Sequence, residues 1–356
     1  MESIHHEEYT IRRATDGDIQ GFLELHDTVF GSWPESKARE VFDWKYRENP
    51  YFEELPVIVA ETDGEIVGAK GHFGLEIVVG EESLLGVQAG DLMVHSDHRG
   101  KGIQVEMIRL DEVLYEEDSR LRFGVPSKTA FDNALDAGHR AVANPLYVRW
   151  LSRPKSDSGT PRRRAGRLIA LASYSGYRMV ADAFSRAEPG LIVERADELP
   201  IAVLESLYAT HVPAGIHTRR DADFYRWRFD DPLHEYETYL ARRNGRVEAA
   251  AVVSDDGTTI CIREILPCDA DSGIVRALLG AVSSGFKDRA AILAWRPNDV
   301  AGSAFYKSGF VRPNLVPTVW YPSDIVVRAV DGDWTVSGLR VDEPEHWDLQ
   351  LIARDY

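Results

Sequence analysis

The hydrophobic positions change period within the stretch from Ala89 to Leu114. Leu92, Met93 and Val94 close an apolar run that reads as the end of a strand. Ile103, Met107, Leu110 and Leu114 then recur at helical spacing, which leaves Glu106, Arg109, Asp111 and Glu112 to face water. Between the two runs, His95 to Lys101 is polar and flexible and predicts a turn, with the helix beginning at Gly102.

The pattern also repeats. Ile11-Arg-Arg-Ala14 is echoed by Val193-Glu-Arg-Ala196, Trp44-Lys-Tyr46 by Trp227-Arg-Phe229, Pro50 by Pro232 and Gly64 by Gly245, at offsets of 182, 183, 182 and 181. Such steady offsets predict a diverged duplication in which each half folds on one plan. That plan is an opening strand, one or two helices carrying the tryptophan segment, a hairpin turned at Asp63-Gly64 or Asn244-Gly245, another strand, then alternating helices and strands. Pro, Ser, Gly and Arg displace periodic apolar residues from Arg153 to Arg167, which reads as a linker. Leu168 to Ser185 reads as a helix or strand joining the second unit, and Trp334 to Trp347 as a final strand and turn. The expected organisation is an N-terminal domain over 1–155, a linker and joining segment over 156–188, and a degenerate C-terminal domain over 189–356.

A chain of 356 residues suits two domains with sizeable cores. No apolar run reaches membrane-spanning length, and the first residues lack the basic and apolar regions of a signal peptide. A cytoplasmic location is the expectation. Cys261 and Cys268, the two cysteines, supply neither a disulfide framework nor a metal motif, and read as a core thiol and a loop thiol. The eleven histidines lack ligand spacing. His95 and His98, which flank Asp97, read as solvated loop polarity, so no metal is expected. A formal charge of −17 argues against nucleic acid and anionic membranes as partners. With only 8 lysines beside 33 arginines and 58 acids, the composition is similar to that of proteins from salt-accumulating haloarchaea. The stretch Pro161-Arg-Arg-Arg-Ala-Gly-Arg167 is read as solvated linker rather than a nucleic-acid patch.

The turn at His95 to Lys101 carries candidate chemistry because it ends on a helix N-terminus. Unbonded N–H groups and the positive end of the helix dipole favour an anion there, Gly100 and Gly102 let backbone approach it, and Arg99 and Lys101 add charge. Arg-Gly-x-Gly alone is a weak string, and the flanking strand and helix give it meaning. In that setting the chain resembles the GNAT superfamily of N-acetyltransferases, whose acetyl-CoA loop reads Arg/Gln-x-x-Gly-x-Gly/Ala after the fourth strand. Arg99, Gly100-Lys101 and Gly102 match it, while Gln104 takes the place of a small residue. The resemblance runs from about Tyr9 to about Trp150. It implies a mixed α/β (α+β) fold of two tandem GNAT-like units, acetyl-CoA as co-substrate, and cofactor contacts at Leu92, Met93, Val94, Arg99, Gly100, Lys101, Gly102, Ile103 and Gln104.

The implied activity is acyl transfer to the amine of a small molecule, amino sugar or peptide. An amine attacking a thioester needs an oxyanion donor and a proton acceptor, and sulfur can use an acid. By resemblance, the backbone N–H near Met93 polarises the acetyl carbonyl. Asp91, two residues earlier on the same strand face, is the candidate base, with an ordinary strand carboxylate as the alternative. Tyr147, on the strand expected after the Gly138 turn, is the candidate acid, with a sheet aromatic as the alternative. A CoA-like thiolate leaves with little help. Trp33, Trp44, Tyr46 and Arg47 lie in the region that resembles the acceptor wall, although the repetition of Trp44 as Trp227 favours packing. The tryptophan segment together with Gln88–Asp91 and Arg99–Ile103 looks like acetyltransferases associated with surface-polysaccharide synthesis, which points to an amino sugar.

The second half differs at both signature segments. Trp295 to Phe310, with Tyr306, resembles the family's second motif, whereas Ser127 to His139 in the first half aligns on Ala130 and Gly138 and has Leu135 where Tyr306 stands. At the loop position the second half has Ile265 to Ile274, with one glycine and two aspartates that would oppose pyrophosphate. The first half is therefore expected to bind acetyl-CoA, and the second to pack, to shape the acceptor pocket or to dimerise. Two other readings stay open: an acetyl-CoA-binding module without turnover, and an aminoacyl-transferring enzyme of tandem type, which the charge disfavours.

Overall fold

Both predicted hairpins turn at the predicted residues. Asp63 and Gly64 have φ of 52° and 82°, and Asn244 and Gly245 of 51° and 79°. This is the left-handed pair that a tight two-residue hairpin requires. The computed structural model describes residues 3–6, 8–31, 33–114, 121–126, 128–143, 146–152, 161–183, 188–313, 324–329 and 332–355.

The first half runs β1 (Ser3–His6), β2 (Tyr9–Arg13), α1 (Ile19–Val29), α2 (Ala38–Phe42) continuing into a π turn over Asp43–Arg47, β3 (Val57–Thr62), β4 (Glu65–Val79), β5 (Glu82–Val94), α3 (Ile103–Leu114), β6 (Leu121–Gly124), α4 (Lys128–Asp136), β7 (Arg140–Ala143) and β8 (Leu146–Trp150). Helix α5 (Pro161–Ala183) leads into β9 (Leu191–Arg195), α6 (Ile201–Thr210), β10 (His217–Thr218), α7 (Ala222–Phe229), β11 (Glu235–Arg243), β12 (Arg246–Asp255), β13 (Thr259–Leu266), α8 (Ser272–Gly285), β14 (Ala291–Trp295), α9 (Gly302–Lys307) and β15 (Asp324–Ala329). The arginine-rich stretch read as linker therefore opens a helix, in keeping with the helix propensity of Arg, Ala and Leu. Residues 153–160 and 184–187 of the expected linker lie outside the described residues. No helix among the described residues is long and apolar enough to cross a membrane.

Two mixed sheets form, and they trade strands. The first has the order β1-β2-β3-β4-β5-β6-β15-β7, with β10 also pairing with β4, and the second β8-β14-β13-β12-β11-β9. Strand β15, from the second half, is held antiparallel between β6 and β7, with Val326 opposite both Gly124 and Ala141. Strand β8, from the first half, crosses to β14, with Tyr147 opposite Ala294. Both guests are apolar: Ile325 and Val327 are fully buried, and so is Val148. Strand β15 thus joins β6 to β7, and β8 extends the second sheet past β14. The largest core cluster accordingly draws on both halves, including Trp44, Phe73, Leu121, Trp227, Ile325 and Trp347.

Helix α3 lays Ile103, Met107 and Leu110 on β2, β3 and β4, with Leu114 packed at the margin. Asp111 corrects the expected water-facing stripe. It is 1% exposed and accepts from Lys70 Nζ and Arg122 Nη1, each at 2.5 Å, with His72 Nε2 at 2.6 Å. Burial would raise its pKa, but His72, Lys70 and Arg122 hold it well below the usual carboxylate range. The network ties α3 to β4 and β6 beneath the glycine loop.

Candidate active site

Strand β5 ends at Val94, and a short 3-10 turn over Ser96–His98 leads to Gly100 and Gly102, at φ of 78° and 77°. These left-handed angles favour glycine. The first N–H of the α3 entry to find an acceptor is that of Val105, on Gly102 O at 2.9 Å. Among the described residues, the backbone N–H groups of Gly100, Lys101, Gly102, Ile103 and Gln104 bond to nothing. A Cβ at Gly100 would meet open space, whereas at Gly102 it would meet His6 Nε2 at 3.0 Å. His6 thus covers one side of the turn, and its Nε2 lies 3.1 Å from Lys101 O. Arg99 is exposed, with Nε on Val94 O at 3.1 Å. Lys101 gives its ammonium to Tyr9 Oη at 3.0 Å and Glu8 at 3.4 Å, so part of its charge is already matched. The sequence pattern foretold the glycines and Arg99 but not His6, Glu8 or Tyr9, which arrive from the opening hairpin.

Beside this turn, β5 and β6 pair in parallel only from Gly86↔Leu121 to Gln88↔Phe123. Beyond Gln88 the β6-facing edge of β5 has no strand partner among the described residues, and this open edge runs onto the glycine turn. Its other edge pairs with β4 through a bulge between Ala69 and Gly71, where Asp91 takes φ of 43°. The bulge puts Gly90 and Asp91 on the same side as Met93. Met93 packs with Phe42 and Tyr46, while Leu92 and Val94 lie against the α3 cluster.

On that side a polar knot forms. Asp91 accepts from Lys45 Nζ at 2.9 Å and, in a short bond, from Tyr46 Oη. Asp355 lies 3.0 Å from the same ammonium. Lys45 is 2% exposed, and the side chains of Asp91 and Asp355 are 12% and 14% exposed. Burial opposes the charge of Lys45, but Asp355 and Asp91 outweigh it and hold its pKa above the usual lysine range. Burial, then the two carboxylates, push the Tyr46 phenol well up, so it stays a donor. Room for the knot comes from Gly71 and Gly90, which stand opposite one another. A Cβ at Gly71 would strike the Tyr46 ring, and one at Gly90 would meet Asp355 Oδ2 at 2.6 Å. Asp355 is delivered by the chain's last described segment, which Gln88 Nε2 grips at Ala353 O (2.6 Å) and Gln88 Oε1 at Asp355 N (3.2 Å).

Tyr147 does not join this group. Strand β8 carries it into the second sheet, where it is 3% exposed with its ring 4.8 Å from Phe305 and 5.5 Å from Tyr306. After the Gly138 turn, β7 pairs with β15 in the first sheet, and β8 with Tyr147 pairs with β14 in the second.

The second half has the same parts in closed form. At the α8 N-terminus Asp271 accepts from Gly273 N at 2.7 Å, and a Cβ on Gly273 would strike the Glu188 carboxylate. Two acidic side chains of the protein thus stand where an anion would sit. Strands β13 and β14 part after Ile262↔Ala294. Beyond that point Gln350 accepts from Ile265 N at 2.7 Å and donates to Ile265 O at 3.1 Å. Among the described residues, no three His, Cys, Asp or Glu side chains gather as a metal site.

Residues 10–139 match the family model of the acetyltransferase (GNAT) domain. No curated protein matches the chain. Among solved structures, the fold is similar to a GCN5-related N-acetyltransferase from Anabaena variabilis (TM-score 0.58, 11% identity, 90% of this chain and 73% of that one). It is also similar to one from Kribbella flavida (0.55, 14%, 91% and 71%) and to Eis1 from Mycobacterium abscessus (0.52, 12%, 90% and 74%). Over residues 10–139 the chain is therefore similar to the GNAT acetyltransferase domain, and at these identities the structural likeness shows the fold.

Proposed function

We propose that the chain is an acetyl-CoA-dependent N-acetyltransferase with one working site, in the first half. The observation that carries this reading is the open edge of β5 beyond Gln88 running onto five unbonded N–H groups at the α3 terminus, set against a second half that fills both places with its own side chains. Arg99, the Gly100–Gln104 backbone and the edge of Leu92–Val94 would hold acetyl-CoA, whose thioester supplies the acyl group. Asp91 would take the proton of the attacking amine: its carboxylate is fixed by Lys45 and Tyr46 and keeps an exposed margin. An N–H near Met93 would stabilise the developing oxyanion. Tyr147 has no part in this scheme, and the thiolate leaves without a dedicated acid. With Asp355 beside Asp91, two carboxylates around one ammonium favour an acceptor that presents a cationic amine, whether small molecule, amino sugar or peptide.

Calorimetric titration with acetyl-CoA tests the reading. One site per chain, lost in Arg99→Glu, with CoA release on adding an amine acceptor, is the expected result. Absence of binding by folded protein overturns it, and binding without CoA release from any amine leaves a sensor in its place.

A further inference from the structure

We propose that the cavity between α5 and α8 is a second binding site, built for a small phosphorylated molecule with a compact apolar part. It is a half-open cleft of about 700 Å³, a volume in the range of small-molecule sites. Among the described residues, four cations line it, Arg149, Arg178, Arg276 and Lys287, against two carboxylates, Asp182 and Glu188. Four against two leaves a formal excess of two positive charges in a chain whose net charge is −17. In a chain with 58 acidic against 41 basic residues, a local excess of cations in one cleft marks a place where it would attract an anion. A phosphate monoester carries about −1.5 to −2 at neutral pH, which matches the excess, whereas one carboxylate would leave half of it unmatched.

Two of the arginines are already oriented, which lowers the ordering cost of binding. Arg149 is 5% exposed, and donates Nη1 to Ser308 O at 2.5 Å and Nη2 to Asp182 Oδ1 at 2.7 Å. Its buried Nε has no hydrogen-bond acceptor among the described residues. Arg178 directs a single terminal nitrogen to the carbonyls of Trp150 and Leu151, both at 2.7 Å. Guanidinium groups fixed in this way suit the planar, multiple acceptance that phosphate oxygens offer. Leu151, Leu191 and Val193 add apolar wall for the rest of the molecule. The site does not depend on the glycine turn, which lies in the first half.

Phenyl phosphate is the probe, titrated calorimetrically into the full chain and its variants. The expected result is a site that persists in Arg99→Glu, is weakened at least tenfold by Lys287→Glu and by Arg276→Glu, and takes phenyl phosphate more tightly than inorganic phosphate. Lys287 is exposed, so Lys287→Glu decides the matter if Arg276→Glu does not fold. Binding that vanishes in Arg99→Glu but survives the cavity substitutions overturns the proposal, because the probe then sits on the glycine turn. No binding, or binding indifferent to every variant, overturns it too. Acetyl-CoA titration of the same variants is read separately, so either site can fail alone.

Discussion

Trp44 and Trp227 exchange hydrogen bonds. Each indole N–H donates to the other's backbone carbonyl, at 2.8 Å from Trp44 and 3.0 Å from Trp227. The rings stack at 5.7 Å and 18°. Two residues 183 positions apart thus meet as a reciprocal pair at the seam between the halves. Their role is packing, not acceptor stacking. Trp44→Phe removes one donor and leaves the Trp227 carbonyl with only the Asp230 N–H at 3.2 Å, which should cost about 0.5–1.5 kcal/mol in denaturant unfolding. The double variant with Trp227→Phe should cost less than the sum of the single changes. Additivity within about 0.5 kcal/mol would mean that the two bonds are independent.

The strand exchange makes each sheet depend on the other half. A chain of residues 1–155 alone would lack β15 and leave β6 and β7 with a gap between them. We expect it to show no cooperative melt, and co-expression with residues 156–356 to restore a complex that binds acetyl-CoA. A fragment 1–155 that binds acetyl-CoA as tightly as the intact chain would show that the guest strand is dispensable.

Asp91 and Tyr147 separate the catalytic expectations. Asp91→Asn should lower turnover about a hundredfold or more, the range of a lost general base, with acetyl-CoA affinity held within about twofold, since no described contact joins its side chain to the glycine turn. Tyr147→Phe should leave turnover unchanged. Steady-state kinetics with a saturating amine reads both. An Asp91→Asn enzyme at full rate would pass the base to another group, and a crippled Tyr147→Phe would reopen the acid question.

What was legible in the chain was what neighbours in sequence decide. The glycine turn, the hairpins at Asp63-Gly64 and Asn244-Gly245 and the apolar stripe of α3 follow from local backbone chemistry and period. The echo between the halves was visible because both keep their turn and tryptophan positions. Strand exchange was not, since β7 and β8 are short apolar runs separated by two residues. Which sheet each joins is settled by the edges that β15 and β14 offer. Asp111 misled for a related reason: a carboxylate at that spacing reads as solvent-facing until Lys70, His72 and Arg122 arrive from distant strands. Asp355 and Gln350 carry no motif at all. The paired glycines Gly71 and Gly90 were the available signal that something bulky crosses the sheet there.

His217 should make the seam acid-sensitive. It lies on β10, which pairs with β4 across the two halves, and is 1% exposed. Its Nδ1 must donate to Gly215 O at 2.7 Å, which leaves Nε2 to accept from Tyr208 Oη at 2.9 Å. Both nitrogens are used in the neutral tautomer. Burial, with Arg220 and Arg219 nearby, brings its pKa down from 6.5 to about 4. Between those values the unfolded chain binds the extra proton and the folded chain does not, so stability rises with pH. The contribution is whole above about pH 6.5 and is lost as pH falls toward about 4, by about 3 kcal/mol at the acid end. His217→Asn keeps a donor near Gly215 O but cannot titrate. Its unfolding free energy should fall less than the wild-type value between pH 7 and 4, by that difference. Parallel pH curves for the two proteins would rule His217 out as the source of the acid loss.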